Sequence, residues 1–292
     1  MRIKTYQLCF MFLLITQGAS AQLSDLLRLE YSFIPKRESE NKYNRFRGLF
    51  NYPIKVGEDQ YLIVGGEYNR IILNFEDSYS FETEGLKRVH VIDATLGYTF
   101  KVNDDWRLAA RVTPRIASTL TSKITGEDFF INGGVYAILD KRKATDIKRP
   151  YRLIFGLVYN STTGLPFPLP MLNYYRKVNE NWSYTLGIPK SNLKYYFNDK
   201  NIVQTFITLD GYYAHIQNAV NVNNQSAQHI SLRVIVGGLG YEYNFTKHLV
   251  AYMYTGYTLS QKSILRDQHS DKVFTLDDVN TVYLRTGIKF KI

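Results

Sequence analysis

Along most of the chain, apolar and polar residues alternate one by one, the spacing at which successive side chains point to opposite faces of a sheet. The longest run is at the C-terminus, where Val282, Leu284, Thr286, Ile288, Phe290 and Ile292 alternate with Tyr283, Arg285, Gly287, Lys289 and Lys291. One face of that run is apolar and the other cationic over about eleven residues, the length a tilted strand needs to cross a hydrocarbon layer. The same reading holds for Trp106 to Ile116, with Arg107, Arg111 and Arg115 on the polar face, and for Tyr151 to Asn160, with Arg152 on it. It also holds for Leu62 to Asn69 and for Leu249 to Leu259. In the stretch from His229 to Val236, Ile230, Leu232, Val234 and Val236 are read as the lipid side, which turns His229, Ser231 and Arg233 inward.

Connections come in two lengths, as in outer-membrane barrels. Short polar turns lie near Gly57-Glu58-Asp59, Asn103-Asp104-Asp105, Asn179-Glu180-Asn181, Asn198-Asp199-Lys200 and Thr246-Lys247, and several are flanked by aromatics such as Tyr98, Trp106, Tyr175, Trp182 and Tyr243. Aromatics beside a turn suit a girdle at headgroup level. Longer polar stretches at 76–87, 120–128, 161–167, 217–228 and 261–278 are assigned to the outside of the cell; the basic stretch 140–149 falls on the turn side. Spans near 26–36, 43–56, 60–74, 86–102, 105–120, 128–140, 150–161, 168–178, 181–189, 192–198, 202–217, 228–244, 248–264 and 276–292 give about fourteen strands, an even number. The pair around Pro189 is short, so about twelve full crossings is the alternative. The expected fold is all-β, a closed antiparallel transmembrane β-barrel of about 12 to 14 strands in a single domain.

The N-terminus changes the picture by adding a compartment. Arg2 and Lys4 precede the apolar run Cys9-Phe10-Met11-Phe12-Leu13-Leu14-Ile15, and Ala19-Ser20-Ala21 supplies the small residues of a cleavage site. This order is that of a secretory signal peptide over 1–21, leaving a barrel domain over 22–292. Cys9 is the sole cysteine and lies in the segment to be removed, so no thiol remains for a disulfide, metal or nucleophile. With 24 Tyr and 17 Phe but 2 Trp, a mean hydropathy of −0.24 and no long apolar run after residue 21, a helical membrane protein is excluded. The net charge of +10 falls to +8 when Arg2 and Lys4 are removed (+10 − 2). Export makes nucleic acid a poor partner for that charge, and outer-membrane lipid with its lipopolysaccharide a better one.

The signal peptide, the early strand Arg28-Leu29-Glu30-Tyr31, the Asn-Asp-Asp-Trp type of turn, Leu186-Gly187-Ile188-Pro189 and the final Tyr283 to Ile292 together resemble a family of uncharacterised outer-membrane barrels of Bacteroidota, a domain of unknown function. The resemblance covers nearly the whole mature chain. It implies residence in the cell outer membrane and insertion by the outer-membrane assembly machinery, although Phe290 stands third from the end and Ile292 is last, where many such barrels end on an aromatic.

Inward parity assigns Arg45, Arg47, Glu67, Asp93, Arg107, Arg111, Arg115, Arg152, Asp210, Arg233 and Arg285 to the lumen, with Glu30 and Lys289 beside them. Two readings stay open. A basic ring favours passage of small anions, a passive channel or transport-related barrel for small polar solutes. Paired charges can instead cross-brace a closed, structural or surface-binding barrel. A third, a lipid-modifying enzyme, would use His229 and Ser231, but their inward parity takes them away from lipid, and the chain is read as non-enzymatic. His90, His215, His229, His248 and His269 show no paired spacing, and the acidic stretch Asp267, Asp271, Asp277, Asp278 lacks the glycine and spacing of a calcium loop. Gly237-Gly238-Leu239-Gly240 opens no helix and so is no phosphate cradle. No cofactor and no metal are expected. An exported soluble β-sandwich remains an alternative that membrane fractionation would separate.

Overall fold

Four of the short turns use one device. A side-chain oxygen at the start of the turn accepts the main-chain N–H groups two and three residues on, which closes the loop without help from the strands. Asn103 does this for Asp105 and Trp106, Asn179 for Asn181 and Trp182, Asn198 for Lys200 and Asn201, and Thr246 for His248 and Leu249. The repeated Asn-x-x-Trp of the sequence is thus a turn with its restart residue attached.

The computed structural model describes residues 25–35, 41–75, 79–142, 150–161 and 166–291; the segment read as a signal peptide lies outside the described residues. The strands are β1 (Leu27–Ile34), β2 (Asn41–Gly57), β3 (Gln60–Phe75), β4 (Arg88–Lys101), β5 (Trp106–Ser118), β6 (Phe129–Asp140), β7 (Tyr151–Asn160), β8 (Phe167–Lys177), β9 (Trp182–Gly187), β10 (Lys190–Tyr196), β11 (Asn201–Val222), β12 (Gln225–Asn244), β13 (Leu249–Arg266), β14 (Lys272–Asp277) and β15 (Val282–Phe290). From β1 to β13 each pairs antiparallel with its chain neighbour, and β15 joins β13 to β1. The result is a closed, antiparallel 14-strand barrel. β14 is additional: it pairs only with the outer end of β13, Leu265 opposite Phe274. It falls in the stretch 261–278 read as a loop, and the strand expected over 276–292 is β15, Val282–Phe290.

The outward face carries an apolar belt that runs around the ring, including Leu29, Phe46, Leu96, Val112, Val135, Leu157, Leu172, Leu239, Met253 and Ile288. Aromatic pairs flank it at the short-turn end, among them Trp106 on Phe155 and Trp182 on Tyr195. The architecture is that of outer-membrane barrels.

The expected loop 217–228 is instead a tight hairpin. Asn223 and Asn224 both take positive φ, 51° and 64°, the conformation of a two-residue turn matched to strand twist. β11 and β12 therefore continue well past their neighbours. β10 pairs with β11 only as far as Lys190 opposite Thr208. Past that tip β11 bends at Gly211, whose φ of 154° suits a residue without a side chain. Its freed edge reaches β5 across the barrel: His215 stands beside Ser118 in parallel, and the Thr119 N–H donates to the His215 carbonyl at 3.1 Å.

This crossing closes the half opposite the short turns into a narrower ring of β1 to β5, β11 to β13 and β15, outside which β6 to β10 remain. The interior of that ring is oil-like. Tyr212, Ala214 and Ile216 of β11 and Ile230, Leu232, Val234 and Val236 of β12 pack with Ile34, Tyr43, Ile71, Leu73, Val89, Val91 and Ala117. The parity given to this part of β12 is hence inverted. Val236 is fully buried and Val234 is 2% exposed, whereas Arg233 is exposed and points away from the interior. The apolar side chains turn inward because the β11–β12 hairpin, folded across the lumen, lays them on the apolar inner sides of β1 to β5.

Candidate functional site: a charge lattice beneath the crossing

Below the crossing the interior is polar, and its charges are arranged in pairs. Arg45 on β2 donates from both terminal nitrogens to Asp210 on β11, at 2.8 and 2.7 Å. Arg285 and the Tyr283 hydroxyl on β15 also donate to Asp210, so this one carboxylate ties β11 to two strands on the far side of the ring. Glu30 lies at the centre of four guanidinium groups: Arg285 at 3.6 Å, Arg45 at 3.8 Å, Arg47 at 3.9 Å and Arg28 at 4.0 Å. The first three face Oε1, and Oε2, which Arg28 approaches, accepts the Tyr252 hydroxyl at 2.7 Å. Arg47 donates to Glu67 at 2.7 Å, and Asn69 holds the second Glu67 oxygen at 2.8 Å. Arg115 makes a bidentate pair with Asp93 at 2.7 Å and reaches Ser161 at 2.9 Å.

These groups surround a chamber of about 320 Å³. Its walls run from Asp25 and Asn51, toward the short-turn end of β1 and β2, up to Gly211 and Tyr212 beneath the crossing. Of the lumen candidates, Arg45, Arg47, Glu67, Asp93, Arg111, Arg115 and Asp210 line it. Arg285 joins them through Asp210. Arg111 is exposed to the chamber and has no ion pair among the described residues. Arg107 sits apart, at the short-turn end, over the Tyr61 ring and bonded to the Asp59 carbonyl at 2.9 Å. Arg152 is also apart, in register with Asp140 and Tyr175. Arg233 does not belong to the lumen at all.

A second network was not anticipated. Glu242 on β12 accepts from Lys194 at 2.9 Å, Gln204 at 2.6 Å and Tyr254 at 2.8 Å, with Lys289 at 3.4 Å. Lys190 stands over the Tyr254 and Phe206 rings at 4.6 and 5.3 Å. Glu242 shares the parity of Val234 and Val236, so reading that parity as the lipid side hid it.

At the outer end, Asp128 is buried in the turn after β5. It accepts from the Thr125 N–H and from Gln217 at 2.8 Å, and pairs with His215 at 2.9 Å. Burial pushes its carboxyl up, but hydrogen bonds from Ser118, the Thr125 main chain, His215 and Gln217 outweigh this and hold it at about 2. His215 also meets Glu127 at 3.1 Å. His229 and Ser231 do not form a nucleophile and base. His229 bonds to the Asp267 carbonyl at 3.0 Å, and Ser231 is held by Arg266 at 3.1 Å and the Ile264 carbonyl at 3.4 Å.

Residues 27–291 match the model of the family described as Domain of unknown function (DUF6268). The chain belongs to that family. No match is found among curated proteins. Among solved structures, the KdgM porin is 8% identical with a TM-score of 0.36, the match covering 91% of this chain and 99% of the porin. The Pseudomonas putida toluene transporter TodX is 10% identical with a TM-score of 0.37, covering 91% and 88%. LpxR from Salmonella typhimurium is 7% identical with a TM-score of 0.38, covering 91% and 99%. At such identity the likeness is one of barrel architecture, and the activities of these proteins do not carry over.

Proposed function

We propose that the chain resides in the outer membrane, as its resemblance to Bacteroidota barrels implies, inserted by the assembly machinery after loss of residues 1–21. There it is a barrel closed to free diffusion, working through its outer wall and extracellular face. One observation carries this reading: β11 crosses the lumen and is fixed there by Asp210, which Arg45 and Arg285 hold from the opposite wall. Moving β11 aside would strand these charges and open the apolar packing above them. The near balance of lining charges supports bracing over conduction, since Glu30, Glu67, Asp93 and Asp210 each face at least one guanidinium. The reading is non-enzymatic, with Ser231 buried and held by Arg266.

In planar bilayers the reconstituted protein is expected to give no unitary conductance, and a variant with its β11–β12 hairpin cut back to Thr208 and Val236 is expected to conduct. Steady conductance steps from the unaltered protein would overturn the closed reading. A second reading, a channel for small anions, is favoured by Arg111, the chamber cation without an ion pair among the described residues. It requires anion-selective steps that Arg111→Glu reverses or abolishes.

A further inference from the structure

Outside the lumen, the wall of β3 and β4 carries an unbalanced charge. Arg70 lies directly opposite His90, and Arg88 is two positions from His90 on the same outward face. Both arginines are exposed, and neither has a hydrogen bond or ion pair among the described residues. Like charges that are diagonal neighbours on one sheet face repel, and nothing described in the chain relieves these two. His90 is oriented between them by the Tyr68 hydroxyl at 2.9 Å from its Nδ1, with the two rings stacked at 6.1 Å.

Their height on the wall is informative. Directly below them begins the apolar belt, with Phe46, Tyr68 and Ile92 exposed. Arg88 stands about 33 Å along β4 from the girdle residue Tyr98 at a rise of about 3.3 Å per residue. At a strand tilt of about 40° that is about 25 Å along the membrane normal, the full height of a barrel's apolar band. The arginines therefore stand at the outer headgroup level. Farther down the same wall lies an apolar groove of about 470 Å³ that runs obliquely from Leu62 and Tyr98, at the short-turn end of β3 and β4, past Ala110 and Leu157 to Tyr159 and Pro168 at the outer ends of β7 and β8. Small residues, Gly97, Gly133 and Gly134, thin the wall there.

Two cations at headgroup level above an apolar trough match an anionic lipid with long chains. We propose that this wall binds one lipopolysaccharide molecule, its lipid A phosphate held by Arg70 and Arg88 across His90 and one acyl chain entering the groove at its outer end, beside Tyr159 and Pro168. Guanidinium groups suit phosphate because they donate in a planar fork. The assignment to lipid A rests on the outer-membrane placement proposed above, since that lipid is presented at this end of the barrel only there.

The test uses the full-length protein folded in detergent micelles, with lipid A added and retained adducts read by native mass spectrometry. The unaltered protein is expected to retain one lipid A. R70Q/R88Q together should lower retention about tenfold, in keeping with loss of charge-assisted phosphate contacts, and Ala110→Phe, which fills the groove from its exposed side, should lower it independently. R233Q/K262Q, a cation pair elsewhere on the wall, should leave it unchanged. Equal retention by the unaltered protein and R70Q/R88Q would overturn the proposal. So would displacement of lipid A by inorganic phosphate at equal concentration, or equal retention of phosphatidylglycerol, since these point to a free-anion site or a general anionic surface. Insertion into vesicles, read as heat-modifiable gel mobility, separates the two levels. A barrel that does not insert removes the outer-membrane reading itself, whereas one that inserts but shows no Arg70 and Arg88 dependence removes only the lipid A site.

Discussion

β15 and the outer part of β12 have the same alternation and opposite orientation. In β15, Leu284, Ile288 and Phe290 face out and are 39 to 52% exposed, while Arg285 and Lys289 enter the lumen. In β12, Leu232, Val234 and Val236 face in and are at most 4% exposed, while Arg233 faces out. Alternation establishes that a strand has one apolar face; what that face meets is decided by the strand across from it. Opposite β15 are charges and a chamber. Opposite the outer part of β12, which with its neighbour β11 crosses the lumen beyond the tip of β10, are apolar side chains of β1 to β5, among them Ile34, Ile71, Val89 and Ala117.

The largest effect that tests this contrast comes from a charge placed on the buried side of β12. Val234→Arg puts an unpaired guanidinium among Ile71, Leu73 and their neighbours, and is expected to cost about 5 kcal/mol, enough to prevent recovery of a heat-modifiable folded band. If Val234 instead faced lipid near the headgroups, the same change would cost about 1 kcal/mol or less. Urea unfolding in lipid vesicles distinguishes the two.

Next in size is Asp210→Ala. It leaves Arg45 and Arg285 in the interior with Glu30 as their remaining carboxylate, and removal of one partner from a buried ion pair costs about 3 kcal/mol or more. A double-mutant cycle with Arg45→Met should return part of that loss, because the second change removes the stranded charge. Additive losses would mean that β11 is held by its apolar packing alone.

Much of this fold was legible in the pattern of residues, for a physical reason. The strands that face lipid on one side and water or charge on the other, β3, β5, β7 and β15, have two chemically distinct faces, and the turns at Asn103 and Asn179 announce themselves by their own hydrogen bonds. What could not be read is where the chain leaves the wall. The Asn223-Asn224 hairpin resembles a polar loop, although two adjacent Asn residues are a turn signal, and nothing local to β11 states that β10 stops short of it. From that one unreadable departure follow the inverted parity of Arg233, the hidden Glu242 network and the apolar packing of the outer half of an interior that alternation alone leaves either open or closed. Of the charged candidates, Arg45, Arg47, Glu67, Asp93, Arg111, Arg115 and Asp210 line the chamber and Arg285 joins them through Asp210, whereas Arg107 and Arg152 stand apart on the inner wall and Arg233 faces out.

A smaller effect concerns the latch that keeps β11 against β5. The hydrogen bonds to Asp128 hold its carboxyl at about 2 in the folded protein, below the ordinary value of 3.8. A group whose pKa is depressed on folding adds stability that is complete above the unfolded value and lost as the pH falls through the folded one. The contribution of about 1 to 2 kcal/mol should therefore be present at pH 5 and above and decline from pH 4 to pH 2. Asp128→Asn should remove this slope and loosen the turn at 120–128, measured as faster amide exchange there at pH 7. An unchanged pH slope in that variant would show that other carboxylates govern acid sensitivity.

The smallest expected effect is the most discriminating. Arg233 sits in the same register as Gly211 and Lys262, beside the bend of β11, and its side chain is exposed with no ion pair among the described residues. Arg233→Gln should therefore change unfolding free energy by no more than about 0.5 kcal/mol, and removal of one of two directly opposed cations favours the low or slightly stabilising end of that range. Were Arg233 part of the lumenal lattice, the same substitution would uncouple a buried pair and approach the loss expected of Asp210→Ala. The ratio of these two measured changes thus reports the direction of one side chain. Because side chains along β12 alternate strictly, it also reports which way Leu232, Val234 and Val236 point.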